Sequence, residues 1–229
     1  MSLTTDLTGV FDFHTHTFFS DGALSPMEQA RRAVVAGYSV LGLTDHVGVG
    51  GVASLIETLK FDRDIIEAHW PIRVVIGVEL THVPAESIAR AAKEARESGA
   101  EIVIVHGETP VEPVPQGTNS AAIDCGLVDV LAHPGMLAVE QAELAARHGV
   151  YIEITARRGH SLTNGHVARV CQSAGAPMIV NSDAHEPSDL LSREFQERVA
   201  LGAGIPPALV AEMLAENPRS LWDRAQKRR

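Results

Sequence analysis

Residues 101–106 read Glu101-Ile102-Val103-Ile104-Val105-His106, a short apolar run rich in Ile and Val that closes on a histidine. Such a run, flanked by segments of helical spacing, reads as a parallel strand buried on both faces. Working outward, six further runs of this kind occupy 10–13, 40–44, 73–78, 128–132, 150–155 and 177–181, which with 101–105 makes seven. Seven in 229 residues makes about 33 residues per unit, close to the size of a βαβ unit. Between them, 25–36 opens with Ser25, Pro26 and Glu28 and stops before Gly37, and 84–98 ends before Gly99, so both carry helix punctuation. Further helices are expected at 51–69, 138–148 and 163–174. The tail over 206–226 reads as two short helices interrupted at Pro218, and 109–117, with three prolines, reads as a loop. No internal repeat, linker or low-complexity tract marks a second domain, so 1–229 is expected to form one. Alternating strands and helices fit either an open doubly wound sheet or a closed barrel, and both gather their active sites at the carboxyl ends of the strands.

The chain has 229 residues, 45% of them hydrophobic and 21% charged, the balance of a globular protein. At that size about 70% of the unfolded surface is buried on folding, so a core needs neither disulfides nor a structural metal. The 19 Lys and Arg against 29 Asp and Glu give a formal net charge of -10, which disfavours nucleic acid as a bulk partner. Cys125 and Cys171 form no CxxC pair and no disulfide framework, and read as reduced, packed thiols. Residues 1–9 carry no basic segment followed by an apolar run, and no stretch is long and apolar enough to span a membrane. A cytoplasmic protein without a membrane partner is therefore expected.

Eleven histidines are the compositional oddity. His14 and His16 follow the first run, with Asp21 beyond them in HTHTFFSDG; Asp45 and His46 follow the second in LTDH; Glu79 closes the third in GVE. His106 closes the fourth and His133 the fifth in LAHPG, and Asp183 with His185 follows the seventh in NSDAH. A lone histidine at a core edge is more often hydrogen-bonded than metal-bound. Here His, Asp or Glu follows six of seven strands, and these are the side chains that bind borderline divalent metals. On an extended strand, His14-x-His16 can turn both rings to one side. A polynuclear metal site is the reading.

This ordered set, together with the closing ENPRSLW, resembles the PHP domain (polymerase and histidinol phosphatase) family over nearly the whole chain. The resemblance implies an α/β fold, a distorted TIM-like barrel of seven βα units, and two to three divalent ions, zinc, manganese or iron. It implies three metal sites: His14, His16, Glu79 and Asp183; Glu79 bridging to His106 and His133; and Asp21, His46 and His185. Glu79, Asp183 and His133 are assigned to catalysis, and the expected chemistry is phosphoester hydrolysis by a hydroxide shared between two of the ions. Some family members carry His where this chain has Asp21, and the carboxylate favours harder metals such as manganese. Three divalent ions against Asp21, Glu79 and Asp183 would leave a pocket near about +3 in an acidic protein, suited to an anionic ester.

Arg157, Arg158 and His160, after the sixth run in TARRGHSLTNG, are the candidates for gripping a phosphate or leaving group, with Arg193 a weaker one. Asp12 and Asp45 read equally as acceptors for ligand imidazoles or as turn and cap residues. Glu153 reads as pointing into the barrel or to solvent. His69, His148 and His166 fall in helical segments and read as packed or surface residues. His82 and Glu108 lie near the metal loops without an assigned partner, and Phe18 and Phe19 either wall the pocket or pack beneath it.

The leading expectation is a phosphomonoesterase of the histidinol-phosphatase type acting on a small-molecule phosphate ester. A nucleotide or oligonucleotide phosphodiesterase is the alternative within the family. A non-catalytic RNA-binding subunit resembling the ribonuclease P barrel protein would be expected to have eroded ligands and a basic face, unlike this acidic chain. A metal-dependent amidohydrolase also begins with His-x-His but commonly uses a carboxylated lysine, and Lys60 and Lys93 fall in helical segments.

Overall fold

The computed structural model describes residues 7–229, so 1–6 of the stretch inspected for a leader lie outside the described residues. Eight strands are formed: β1 (Val10–Asp12), β2 (Tyr38–Leu43), β3 (His46–Val47), β4 (Arg73–Leu80), β5 (Ile102–His106), β6 (Val130–Ala132), β7 (Tyr151–Thr155) and β8 (Met178–Asn181). Every ladder is parallel, in the order β1-β2-β4-β5-β6-β7-β8, with β3 extending the pairing along β4. Thr15 and Ala184 form an isolated bridge between the segments after β1 and β8. There the His16 amide donates to the Ala184 carbonyl and the Asp183 amide to the His14 carbonyl, each at 2.9 Å, so the sheet curls into a nearly closed, TIM-like barrel.

Helices α1 (Pro26–Val35), α2 (Val52–His69), α3 (Ile88–Glu97), α4 (Thr118–Asp124), α5 (Val139–His148), α6 (Asn164–Ala174), α7 (Arg193–Gly202) and α8 (Pro207–Gln226) flank it. The Ser25 hydroxyl accepts from the Glu28 amide, as the Ser-Pro-x-Glu start of α1 leads one to expect.

Alternation along each strand divides the side chains between two compartments. Val103 and Val105 of β5 face the helices, whereas Ile102 and Ile104 face the barrel interior with Val75, Val130, Tyr151 and Ile179. The same parity carries Glu79, His106, Glu153 and Asn181 inward at the carboxyl end of the barrel. At the other end α8 lays Leu221, Trp222 and Ala225 against the interior residues. Asp129, just before β6, is buried there and meets the guanidinium groups of Arg96, Arg224 and Arg228. Gly42 lets β1 and β2 approach, since a Cβ there would strike the Phe13 carbonyl.

The tail differs from its expectation: α8 is one continuous helix with Pro218 inside it. Pro218 has no N–H for the carbonyl of Leu214, and Arg193 Nη1 donates to that carbonyl instead at 2.9 Å. Arg193 is thereby a helix-stabilising residue, paired also with Glu197, and does not face the strand ends. The short strand β3 and helices α4 and α7 add to the expected elements. Among the described residues no helix is long and apolar enough to cross a membrane.

Candidate metal centre

Glu79, on the inward face of β4, is fully buried and stands at the middle of the strand-end cluster. Its Oε2 lies 3.3 Å from His14 Nε2, 3.6 Å from His16 Nε2 and 2.6 Å from His46 Nδ1. Its Oε1 lies 3.2 Å from His106 Nδ1 and 3.5 Å from His133 Nε2. Asp183 forms a second hub, with Oδ1 3.2 Å from His16 Nε2 and Oδ2 3.5 Å from His133 Nε2. Farther out, Asp21 Oδ1 approaches His185 Nε2 at 3.1 Å and His46 Nε2 at 3.5 Å. All nine residues read from the sequence as metal ligands are thus brought together. Four of their donor groupings, each within coordination reach, are His14-His16-Asp183, His14-Glu79-His133, His46-Glu79-His106 and His16-Asp21-His46-His185.

Two features of this cluster fit cations. His14 Nε2, His16 Nε2, Glu79 Oε2 and Asp183 Oδ1 are buried and lack hydrogen-bond partners although they lie within 3.9 Å of one another in the pairs described, which is how donor atoms sit around a shared ion. The electrostatics point the same way. Burial works against the charge of Glu79, yet His14, His46 and His106 hold its carboxyl well below the usual range. Burial pushes Asp183 well up, opposed by His14 and reinforced by the charges of Glu79 and Glu153. For His46, burial is outweighed by Glu79 and Asp21, and its pKa rises to about 9. Protons on imidazoles here offset carboxylate charge that a divalent cation would offset more completely.

Several rings are oriented by their second nitrogen. His14 Nδ1 is 2.8 Å from Glu153 Oε2, which also accepts from Asn181 Nδ2. His46 Nδ1 is 2.6 Å from Thr81 Oγ1, and His185 Nδ1 is 3.0 Å from the Asp183 carbonyl. This is the arrangement in which an imidazole presents its other nitrogen to a metal. His133 and Asp183 hold positive φ, 26° and 55°, strain of a kind kept at functional sites. Gly107 permits the close approach of β5 and β6, because a Cβ there would meet the Ala132 carbonyl.

The cluster floors a cavity of about 470 Å³. Arg157 lines it, its Nη1 3.3 Å from Asp189 Oδ2, as does His160, whose ring stacks on His133 at 4.2 Å. His160 Nδ1 is 2.7 Å from Thr109 Oγ1. Burial and the neighbouring His133 and His106 lower the His160 pKa to about 3. Arg158 is exposed and lines an adjoining cavity with Arg157, Ser188 and Phe195.

Other residues weighed from the sequence have structural partners. Asp12 accepts from the Ser182 amide and the Tyr38 hydroxyl, and Asp45 from the Thr17 amide and the Ser20 hydroxyl; neither carboxylate meets an imidazole in these bonds. Glu108 accepts from the amides of Gly117 and Asn119 at the start of α4. His69, His148 and His166 contact the carbonyls of Ile65, Ile123 and Leu137. Phe18 and Phe19 are exposed, their rings 4.8 Å apart. Glu112, unmarked in the sequence reading, lines the cavity beside His82 and His106. Nothing in strand periodicity announces it, because it stands on the loop after β5.

Fold and site together define a TIM-like barrel with a polynuclear donor set at its carboxyl end. The chain belongs to the PHP domain family, whose profile matches residues 12–116. It is 45% identical over 215 residues to an uncharacterised protein of Methanocaldococcus jannaschii, covering 93% of this chain and 99% of that one. A probable phosphatase of Thermoanaerobacter is 28% identical, with 88% of this chain and 89% of the relative covered. In fold, the chain is similar to a protein of archaeal ribonuclease P seen with mature tRNA, with a TM-score of 0.69, 15% identity and 94% and 91% of the two chains covered. It is also similar to histidinol phosphate phosphatase of Lactococcus lactis complexed with zinc, L-histidinol and phosphate, with a TM-score of 0.59, 12% identity and 95% and 94% covered.

Proposed function

We propose that this protein is a metal-dependent phosphoesterase that acts as a phosphomonoesterase on a small phosphorylated metabolite. The observation that carries the reading is Glu79, one fully buried carboxylate whose two oxygens face two different groups of histidines. Such a carboxylate is built to bridge. His14, His16, Glu79 and Asp183 would hold one divalent ion, Glu79, His106 and His133 a second, and Asp21, His46 and His185 a third. Bound zinc, manganese or iron would supply Lewis acidity toward phosphoryl oxygens and a water nucleophile at neutral pH.

The chain's own residues do the rest. Glu153 fixes the His14 ring, and the barrel wall excludes water from its buried nitrogens. Arg157 stands at the cavity wall where its guanidinium can pair with a phosphate, and His160, three residues on in the same loop, offers Nε2. Arg158 is assigned to the substrate's organic part, reached through the adjoining cavity.

The test is elemental analysis of freshly purified protein with hydrolysis of an aryl phosphate beside an aryl phosphodiester. Two to three metals per chain with monoester cleavage is expected, and diester cleavage would move the substrate to nucleotides. Glu79→Gln should lose metal and nearly all turnover with its circular dichroism unchanged. Protein that stays inactive after zinc, manganese or iron is supplied, and binds RNA in a salt-dependent way, would replace this reading with that of a binding module.

A further inference from the structure

We propose that Glu112 is a positioning residue that fixes the His106 ring for the second ion, an assignment that rests on the metal-centre reading above. The loop over 109–117 bears prolines at 110, 113 and 115, which restrict its backbone. Its two ends are pinned together, because Glu108 at one end accepts at 3.0 Å from the amide of Gly117 at the other. The Val114 amide donates to the Glu112 carbonyl at 2.9 Å and curls the tip. This built loop holds the Glu112 carboxylate over the cavity, with Oε2 3.1 Å from His106 Nε2 and 3.5 Å from His82 Nε2, and Oε1 3.4 Å from His160 Nε2.

His106 explains why a carboxylate should stand there. A neutral imidazole has one lone pair and one N–H. The nitrogen turned toward Glu79 is Nδ1, at 3.2 Å, so Nδ1 is the one placed to ligate an ion shared with Glu79. The hydrogen then falls to Nε2, a buried atom without an aligned hydrogen-bond partner. A buried N–H in that position needs an acceptor, and Glu112 Oε2 lies close enough to become one by a small turn of its flexible side chain. His14 is served in the same way by Glu153. The difference is that Glu153 is fully buried inside the barrel, whereas Glu112 arrives on a loop and contacts three rings at the ends of three different strands.

The experiment titrates zinc into metal-free wild-type, Glu112→Ala and Glu112→Gln protein against a chromogenic chelator, with Nε2–H of His106 followed by ¹H–¹⁵N correlation at saturating zinc. Glu112→Ala should weaken one class of bound zinc by about 10- to 100-fold, the usual effect of removing an acceptor from a ligand histidine. The number of ions at saturation should stay the same, and turnover should recover as zinc is raised. Glu112→Gln, whose amide oxygen still accepts, should restore most of the affinity, and the His106 Nε2–H signal should move in the Ala variant alone. Unchanged affinity for every ion in Glu112→Ala would overturn the assignment while leaving the metal centre intact. Loss of a whole zinc equivalent that excess metal does not restore would also overturn it, making Glu112 a direct ligand with His82. Wild-type protein that takes up no zinc, manganese or iron would overturn this assignment and the metal-centre reading together.

Discussion

The bond from Arg193 to the Leu214 carbonyl can be measured through the proline that makes it necessary. Arg193→Met keeps the aliphatic stem and removes the guanidinium that donates at 2.9 Å to the carbonyl left open by Pro218. A hydrogen bond from a charged donor contributes about 1.5–3 kcal/mol, and the exposed pair with Glu197 adds only a few tenths. Leu214 is buried, so water replaces the lost donor poorly. A loss of about 2–3 kcal/mol is expected, which in a chain of this size lowers Tm by about 4–10 °C. In a Pro218→Ala background the new amide at 218 supplies the missing donor, and the same Arg193→Met change should cost less than about 1 kcal/mol. The assay is a double-mutant cycle by urea and thermal unfolding in chelator-treated buffer, where bound metal contributes nothing. Equal losses in the two backgrounds would show that the Leu214 carbonyl is not what Arg193 serves, and the account of the continuous α8 would fall.

Other perturbations test the centre and its frame. Glu153→Gln removes the charge that orients His14 and should weaken zinc binding by about 10- to 100-fold, measured by chelator competition with the far-ultraviolet circular dichroism unchanged. Burial raises the Asp12 pKa to about 6 despite hydrogen bonds from Ser182 and Tyr38. The folded protein therefore holds this proton more tightly than the unfolded chain, and stability from this group falls as pH rises from about 4 to 6, by on the order of 3 kcal/mol. Metal-free Asp12→Asn should show a correspondingly flatter stability profile by urea unfolding, and an unchanged slope would count against the assignment. Burial also pushes the Cys171 thiol to about 12, so in Cys125→Ser protein an aromatic disulfide reagent at pH 8 should find no reactive thiol until denaturant is added.

The seven principal strands were legible because parallel strands buried on both faces are written as continuous apolar runs, and the nine proposed donors because each follows such a run or begins the loop after it. Parity was the unused signal: Glu153 lies two residues beyond the inward Tyr151, as Glu79 lies four beyond the inward Val75. What stayed hidden depends on distant partners. Pro218 reads as a break to any local rule, and only a guanidinium from another helix removes the need for one. Helix α7 turns Gln196 and Ala200 to the interior, with Gln196 Nε2 bonded to the Phe11 carbonyl, so its buried face does not look apolar. Helix α4 is only seven residues long, too short to show a period. Glu112 reaches the site by the path of a loop, which no spacing encodes.

Helix α8 packs Leu221, Trp222 and Ala225 against the barrel interior, and Arg228 just beyond it grips Asp129. The chamber is therefore stoppered at its base, and the cavity over the cluster forms a doorway at its rim. A molecule bound in that cavity meets the same loops on its way in and on its way out. The loops bearing Asp21, Glu112 and Arg157 stand at that doorway, and changes in them would alter how quickly it clears as well as what it admits.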